Sequence, residues 1–309
     1  MIEFVSIISV KGVFVVDYSE KIQYKRDNIR IFCEYMLKKA EEIGISKDTF
    51  FNDPCGGRKN VTTARDFLRW LIKGYETKKL WDIWSVSKLD VALRGENARV
   101  FPLVSTVFAD PSSHLLTDHY EILGGKTGSM TKLGVLNLAV IAKIPDSNDL
   151  AACVCLYADE TNDLPKNRFQ AAKEALDAAV KKYKNRSLDV SKESVCADSV
   201  IVCVVPEKTE DYHENLDILY EKNADSIKMP ASTTKIFTAA LGLELLENLD
   251  EEITILPEDI DSLPENFYGD DILPGDVLTI KELMYFMMLP SSNAASFIFA
   301  GLIAEKFLR

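Results

Sequence analysis

The sequence predicts an α+β protein, and three observations carry that expectation. Residues 120 to 127, 135 to 143 and 150 to 158 read as strands, the last two separated by the turn signal PDSND, so three neighbouring antiparallel strands follow. Residues Asp198 to Val205 and Leu216 to Glu221 read as two more strands. Helical periodicity precedes, separates and follows these segments, as in Lys166 to Tyr183.

Taken in chain order, VFVVDYSEKIQYKRDN (13 to 28) reads as a strand, a polar turn and a second strand. It faintly repeats SVIVCVV and LDILYEKNAD (199 to 225), a likeness that chance hairpin similarity also explains. Ile31 to Gly44 is expected to form an amphipathic helix. A second helix starts near Thr62 or Thr63, whose hydroxyls suit an N-cap ahead of ARDFLRWLIKGY. Residues 81 to 118 read as irregular and turn-rich, and KNRSLDVSKES reads as a polar linker. Beyond the last two strands, a helix is expected from Ser232 through Leu246, and a loop rich in Asp, Glu and Pro covers 249 to 276. Two closing helices, 279 to 289 and 293 to 308, flank Pro290.

Composition narrows the function classes. At 309 residues, 47% hydrophobic, the chain can bury a sizeable core. Its net charge of -12 speaks against nucleic acid and anionic lipid as partners, which favour clustered Lys and Arg. The apolar opening, Phe4 to Val16, is broken by Lys11, lacks a basic leader and is too short for a bilayer, so neither a signal peptide nor a membrane span is expected. Cys33, Cys55, Cys153, Cys155, Cys196 and Cys203 lack zinc spacing and read as small core hydrophobes, with Cys153 and Cys155 on one face of a strand. His114, His119 and His213 lack ligand spacing as well, so no metal and no cofactor is expected.

Three short segments carry chemistry: ASTTK (231 to 235), PSSN (290 to 293) and GGKTG (124 to 128). A Ser-x-x-Lys pattern alone means little, since about one arises by chance at this length, and Ser85/Lys88 and Ser129/Lys132 are decoys. Ser232 differs because it stands at the mouth of an apolar helix, which places Lys235 one turn away on the same face. A desolvated lysine amine there can take the serine proton, and the helix N-terminus favours negative charge near the serine. Ser291, Ser292 and Asn293 interrupt two apolar helices, a placement that also suits plain capping. Lys126, Thr127 and Gly128 end a strand, where lysine and threonine can meet a carboxylate and glycine lets a substrate backbone approach.

Serine acyl-transferases that act on peptidoglycan and penicillin carry Ser-x-x-Lys first, Ser-x-Asn second and Lys-Thr-Gly last. The flanking stretches YEKNADSIKMPASTTKIFTAA, LTIKELMYFMMLPSSNAAS, FFNDPCGGRKNVTTARDFL and ILGGKTGSMTKLGVLNLAVIAK resemble the serine-type D-Ala-D-Ala carboxypeptidases, the low-molecular-mass penicillin-binding proteins. The resemblance covers nearly all of residues 31 to 305, but Lys-Thr-Gly comes first. It implies a β-lactamase/transpeptidase-like fold, an antiparallel five-stranded sheet flanked by helices, circularly permuted. Residues 1–185 would be the family's C-terminal part, 186–197 a linker, and 198–309 its N-terminal part, together one domain.

The same resemblance implies that Ser232 is the acylated nucleophile and Lys235 its base. Ser291 would pass a proton to the leaving D-alanine, and Asn293 would bind the substrate amide and steady Lys235. Lys126 would supply positive potential, Thr127 would hold the substrate carboxylate, Gly128 would keep the strand edge open, and Ser129 would share the oxyanion hole with the backbone of Ser232. It further implies a DD-carboxypeptidase acting on peptidoglycan stem peptides outside the cytoplasmic membrane, with β-lactams as inhibitors. Ala294 stands where the family usually has Asp, and Met130 where Thr is common, which bears on substrate fit. Two alternatives accompany this reading: a non-catalytic peptidoglycan-binding module or tandem fragment, and a β-lactamase, for which no water-activating carboxylate is evident.

Overall fold

The computed structural model describes residues 9–10, 13–14, 17–158, 168–207, 216–267, 269 and 271–309. It is α+β, with antiparallel sheets of four and five strands flanked by helices. A two-residue pairing of β1 (Ser9–Val10) with β2 (Val13–Phe14) precedes the long helix α1 (Tyr18–Glu42). Helices α2 (Ala64–Glu76) and α3 (Lys78–Trp84) lead to the hairpin β3 (Lys88–Gly95) and β4 (Arg99–Val104), then the short α4 (His114–Thr117). Next come β5 (Ile122–Met130), β6 (Val135–Lys143), β7 (Leu150–Ala158) and α5 (Arg168–Lys184). The chain continues through β8 (Ala197–Val204), β9 (Ile218–Lys222) and α6 (Lys235–Leu245). It closes with β10 (Glu252–Thr254), α7 (Pro257–Asp261), β11 (Asp276–Thr279), α8 (Ile280–Met288) and α9 (Asn293–Ile303).

The five-stranded sheet runs β5-β6-β7-β8-β9, antiparallel throughout. Strand alternation sorts its side chains into two cores. Ala139, Ile141, Ala152, Val154, Ile201 and Cys203 face one core with the helices α2, α6, α8 and α9, while Leu138, Val140, Cys153, Cys155, Val200 and Val202 face the other beneath α5. Both faces are therefore covered, and β6 is buried at every position but Lys143. Each fully buried large side chain, such as Phe67, Trp70 or Phe237, contributes about 1.5–3 kcal/mol. Five of the six cysteines are buried, as expected of small core residues.

Three expectations are corrected. The second strand read within 13 to 28 is instead the first part of α1: Asp17 accepts from Ser19 N–H as N-cap, and Asn28, Phe32, Cys33, Met36 and Ala40 recur at helical spacing on the buried face. The repeat with 199 to 225 therefore fails in structure. Residues 81 to 118 are not merely irregular, because β3 and β4 pair in register from Lys88 with Val104 to Leu93 with Arg99. The acidic stretch 249 to 276 likewise supplies β10 and the start of β11, which complete the second sheet in the order β10-β11-β3-β4. The Arg99 guanidinium stabilises this corner by pairing with the fully buried Asp276 carboxylate at 2.6 Å. The apolar opening at 4 to 16 lies mostly outside the described residues, and His213 lies wholly outside them.

Candidate active site

Ser232 stands in a short 3-10 turn, Ala231–Thr234, that runs directly into α6. The turn is held from several sides. Asn137, on β6, donates its side-chain amide to Met229 O (2.9 Å) and Pro230 O (2.8 Å). Thr233 and Thr234 hydroxyls donate to Pro230 O and Ala231 O, and the segment leading in is bridged to Thr62 through two backbone bonds with Lys228. These bonds keep Ala231 at φ +51°, a left-handed conformation that costs a non-glycine residue roughly 1–3 kcal/mol.

Beneath the turn lies the loop 53 to 57. Asp53, 5% exposed, accepts from the backbone N–H groups of Cys55, Gly56 and Gly57 at 2.8–3.1 Å. Gly56 has φ +89°, and a Cβ there would lie 1.8 Å from Ala231 O. Gly56→Ala should therefore both strain the loop and displace the Ser232 turn, a loss of roughly 1–3 kcal/mol or more that a urea unfolding midpoint would register.

Lys235 joins two of the three motifs, ASTTK and PSSN. Its ammonium nitrogen is fully buried and donates to Ser232 Oγ (2.9 Å), Asn293 Oδ1 (2.8 Å) and Ser291 Oγ (3.3 Å). Burial lowers the Lys235 pKa to about 8, against smaller opposing contributions from Cys55, Asp53 and Asp271. In the PSSN segment the work is divided: Ser292 caps α9 by accepting from Ala295 N–H, leaving Ser291 and Asn293 to face Lys235. Ser291 is held at φ +70°, the second left-handed non-glycine residue in this cluster.

Strand β5 is the edge of the five-stranded sheet and packs against the Ser232 turn. A Cβ at Gly128 would come within 2.7 Å of Pro230 O, so the absence of a side chain permits that close approach. Lys126 is fully buried and donates to Thr127 O at 3.2 Å. Burial first, then the positive charges of Lys235 and Arg168, hold its ammonium well below the usual lysine range. Thr127 Oγ1 bonds Thr106 Oγ1 at 2.6 Å, and the exposed Ser129 accepts from Arg168 at 2.7 Å. Arg168 also donates to Gly128 O and Asn137 O, which ties β5 to the start of α5.

Every residue expected at the site thus lies around one turn and one strand edge. Ser232, Lys235, Ser291 and Asn293 form a single hydrogen-bonded cluster. Ser129, Ser232 and Asn293 line a common cleft of about 1210 Å³. Sequence reasoning missed Asp53, Asn137 and Arg168. Asp-Pro followed by two glycines is turn chemistry that would have flagged Asp53, and a lone Asn in the apolar strand VLNLAVIA would have flagged Asn137. Arg168 carries no such signal. Among the described residues no cluster of three or more metal-ligating side chains occurs, and no helix is long and apolar enough to cross a membrane.

A D-alanyl-D-alanine carboxypeptidase of Streptomyces sp. (strain K15) is 37% identical to this chain over 84 residues, 26% of this chain. The match spans 29% of that protein's length. No family model and no solved structure matches.

Proposed function

We propose that this chain is a serine-type hydrolase of peptidoglycan stem peptides, a DD-carboxypeptidase that releases the terminal D-alanine through an acyl-enzyme. The observation that carries the reading is the buried Lys235 amine, 2.9 Å from Ser232 Oγ and with its pKa lowered to about 8. A lysine so placed is deprotonated often enough near neutral pH to act as a base. The partial similarity to a D-alanyl-D-alanine carboxypeptidase supports this choice of substrate class.

In the proposed reaction, Ser232 Oγ attacks the carbonyl carbon of the penultimate D-alanine while its proton passes to Lys235 Nζ. The C–N bond breaks, and the proton reaches the departing amine through Ser291 Oγ, 3.3 Å from Lys235 Nζ. Water then adds to the ester and gives a proton to Lys235, which passes it to Ser232 Oγ as the acyl C–Oγ bond breaks and the acid product leaves. The backbone N–H groups of Ser232 and Ser129 are assigned to the oxyanion, usually a large contribution in acyl transfer. Asn293 uses Oδ1 on Lys235, which leaves its NH2 for the substrate amide. Thr127 and the potential of Lys126 are assigned to the terminal carboxylate. A β-lactam traps the same ester because the leaving nitrogen stays tethered to the acyl group.

The motif order is read as circular permutation of one domain, with 1–185 and 198–309 joined through 186–197. Two contacts support it: β7 and β8 are neighbours in one sheet across the proposed junction, and α1 packs on α9. Action in the cell envelope follows from the substrate. The direct test is D-alanine release from an N-acyl-D-alanyl-D-alanine peptide, detected with a D-amino-acid oxidase; a folded sample that forms an acyl adduct yet releases none removes the carboxypeptidase assignment.

Asp53 offers a second check. Asp53→Asn keeps an oxygen acceptor for the loop N–H groups but removes a negative charge that favours protonated Lys235. The Lys235 pKa should then drop further, and the acid limb of the acylation rate should move to lower pH. Rates taken between about pH 5 and 10 would show it, and a limb that stays in place would dissociate Asp53 from the Lys235 charge.

A further inference from the structure

We propose that the cleft running from Ser232 is an acyl-side subsite that selects substrates carrying a carboxylate, held by the cationic rim of Arg58, Lys59 and Lys132. The proposal rests on Ser232 being the acylated residue and adds the charge of what it accepts. Seven charged side chains line this cleft, five cationic and two anionic, in a chain whose net charge is -12. Such a local reversal of sign is what a cleft needs to concentrate an anionic ligand against the field of the whole protein.

The two carboxylates are already engaged. Glu34 pairs with Arg30 at 2.5 Å, and Asp53 is taken up by the N–H groups of its own loop. Arg26 donates to Ser262 O at 3.4 Å. Arg58, Lys59 and Lys132 have no carboxylate partner among the described residues, and Arg58 and Lys59 are exposed. Arg58 and Lys59 follow Gly57 in the loop packed under the Ser232 turn, while Lys132 follows Ser129 and Met130 off the end of β5. The three charges therefore come from two segments, each of which also contributes to the surroundings of Ser232, and meet along one cleft. Phe50 and Leu133, 47% and 42% exposed, line the same cleft and supply apolar contact for the rest of the acyl chain.

The test uses three penicillins that differ only at the α-carbon of the side chain: α-carboxybenzyl, benzyl and α-aminobenzyl. Second-order rates of adduct formation, followed by intact mass at low ionic strength, should rank in that order and span about tenfold. The ranking should collapse near 0.5 M salt, where the screening length is only roughly 4 Å. The ratio between the three rates should also flatten in the surface variant Arg58→Gln/Lys59→Gln/Lys132→Gln. Equal rates for the three compounds on the unaltered chain, or a ranking that survives in the triple variant, would overturn the subsite while leaving Ser232 as nucleophile. No adduct with any of the three would overturn the acyl-enzyme reading and the subsite with it.

Discussion

Incubated with benzylpenicillin, the unaltered chain should gain the mass of one ring-opened penicillin, and Ser232→Ala should gain nothing. The difference is expected to be complete within detection, because no other hydroxyl among the described residues has the same position. Ser291 also contacts Lys235, but at 3.3 Å against 2.9 Å for Ser232, and it belongs to the segment entering α9. Ser232 opens α6 through its 3-10 turn, where the helix N-terminus favours a developing oxyanion. The substitution removes one oxygen from a half-buried position, and Lys235 keeps Ser291 and Asn293 as partners. The variant should therefore unfold at nearly the same urea concentration as the parent. An adduct on the alanine variant, or none on a folded parent, would remove Ser232 from the reaction.

The parts of this molecule that were legible in sequence are those where one local pattern is decided by one face. Strands 135 to 143 and 150 to 158 read at their observed limits because a run over strand length that is apolar but for Asn137 and the terminal Lys143, with PDSND between the two, leaves little alternative. The pairing of Ser232 with Lys235 is legible because their spacing is a helical turn and needs no tertiary information, whereas Ser291 and Asn293 reach Lys235 from 56 and 58 residues away. The hairpin of β3 and β4 was hidden for the opposite reason. In LDVALRG only Val91 and Leu93 are buried, and Arg94 and Arg99 are stabilised by Glu282 and Asp276 from far along the chain. A strand whose partners are distant carboxylates reads locally as polar loop. The early start of α1 was obscured likewise, since 18 to 27 is mostly exposed and its anchors, Tyr18 to Asp261 and Lys25 to Asp259 and Glu305, are tertiary. Asp53, Asn137 and Arg168 act by holding backbone rather than by carrying a reactive group, so no motif announces them.

Replacing Lys235 should be the most damaging change after removal of the nucleophile. Lys235→Gln keeps a polar side chain of similar reach but cannot accept the Ser232 proton, and general-base loss alone is worth about a hundredfold to ten-thousandfold in acylation rate. The pH dependence distinguishes that role from mere packing. Protonated Lys235 cannot act as the base, so acylation by the parent should climb about tenfold per pH unit below the pKa. It should then level off near pH 8, the value to which burial lowers this amine. The direction follows from the sign of the shift: a lysine left at its usual value would place the plateau above pH 10, where the chain would have almost no activity at neutrality. In Lys235→Gln the residual rate should lose that limb, since the amine whose pKa burial lowers to about 8 is gone. A variant that keeps the limb would move the base elsewhere, and the buried Lys126, whose ammonium is also held well below the usual range, would be the group to substitute next.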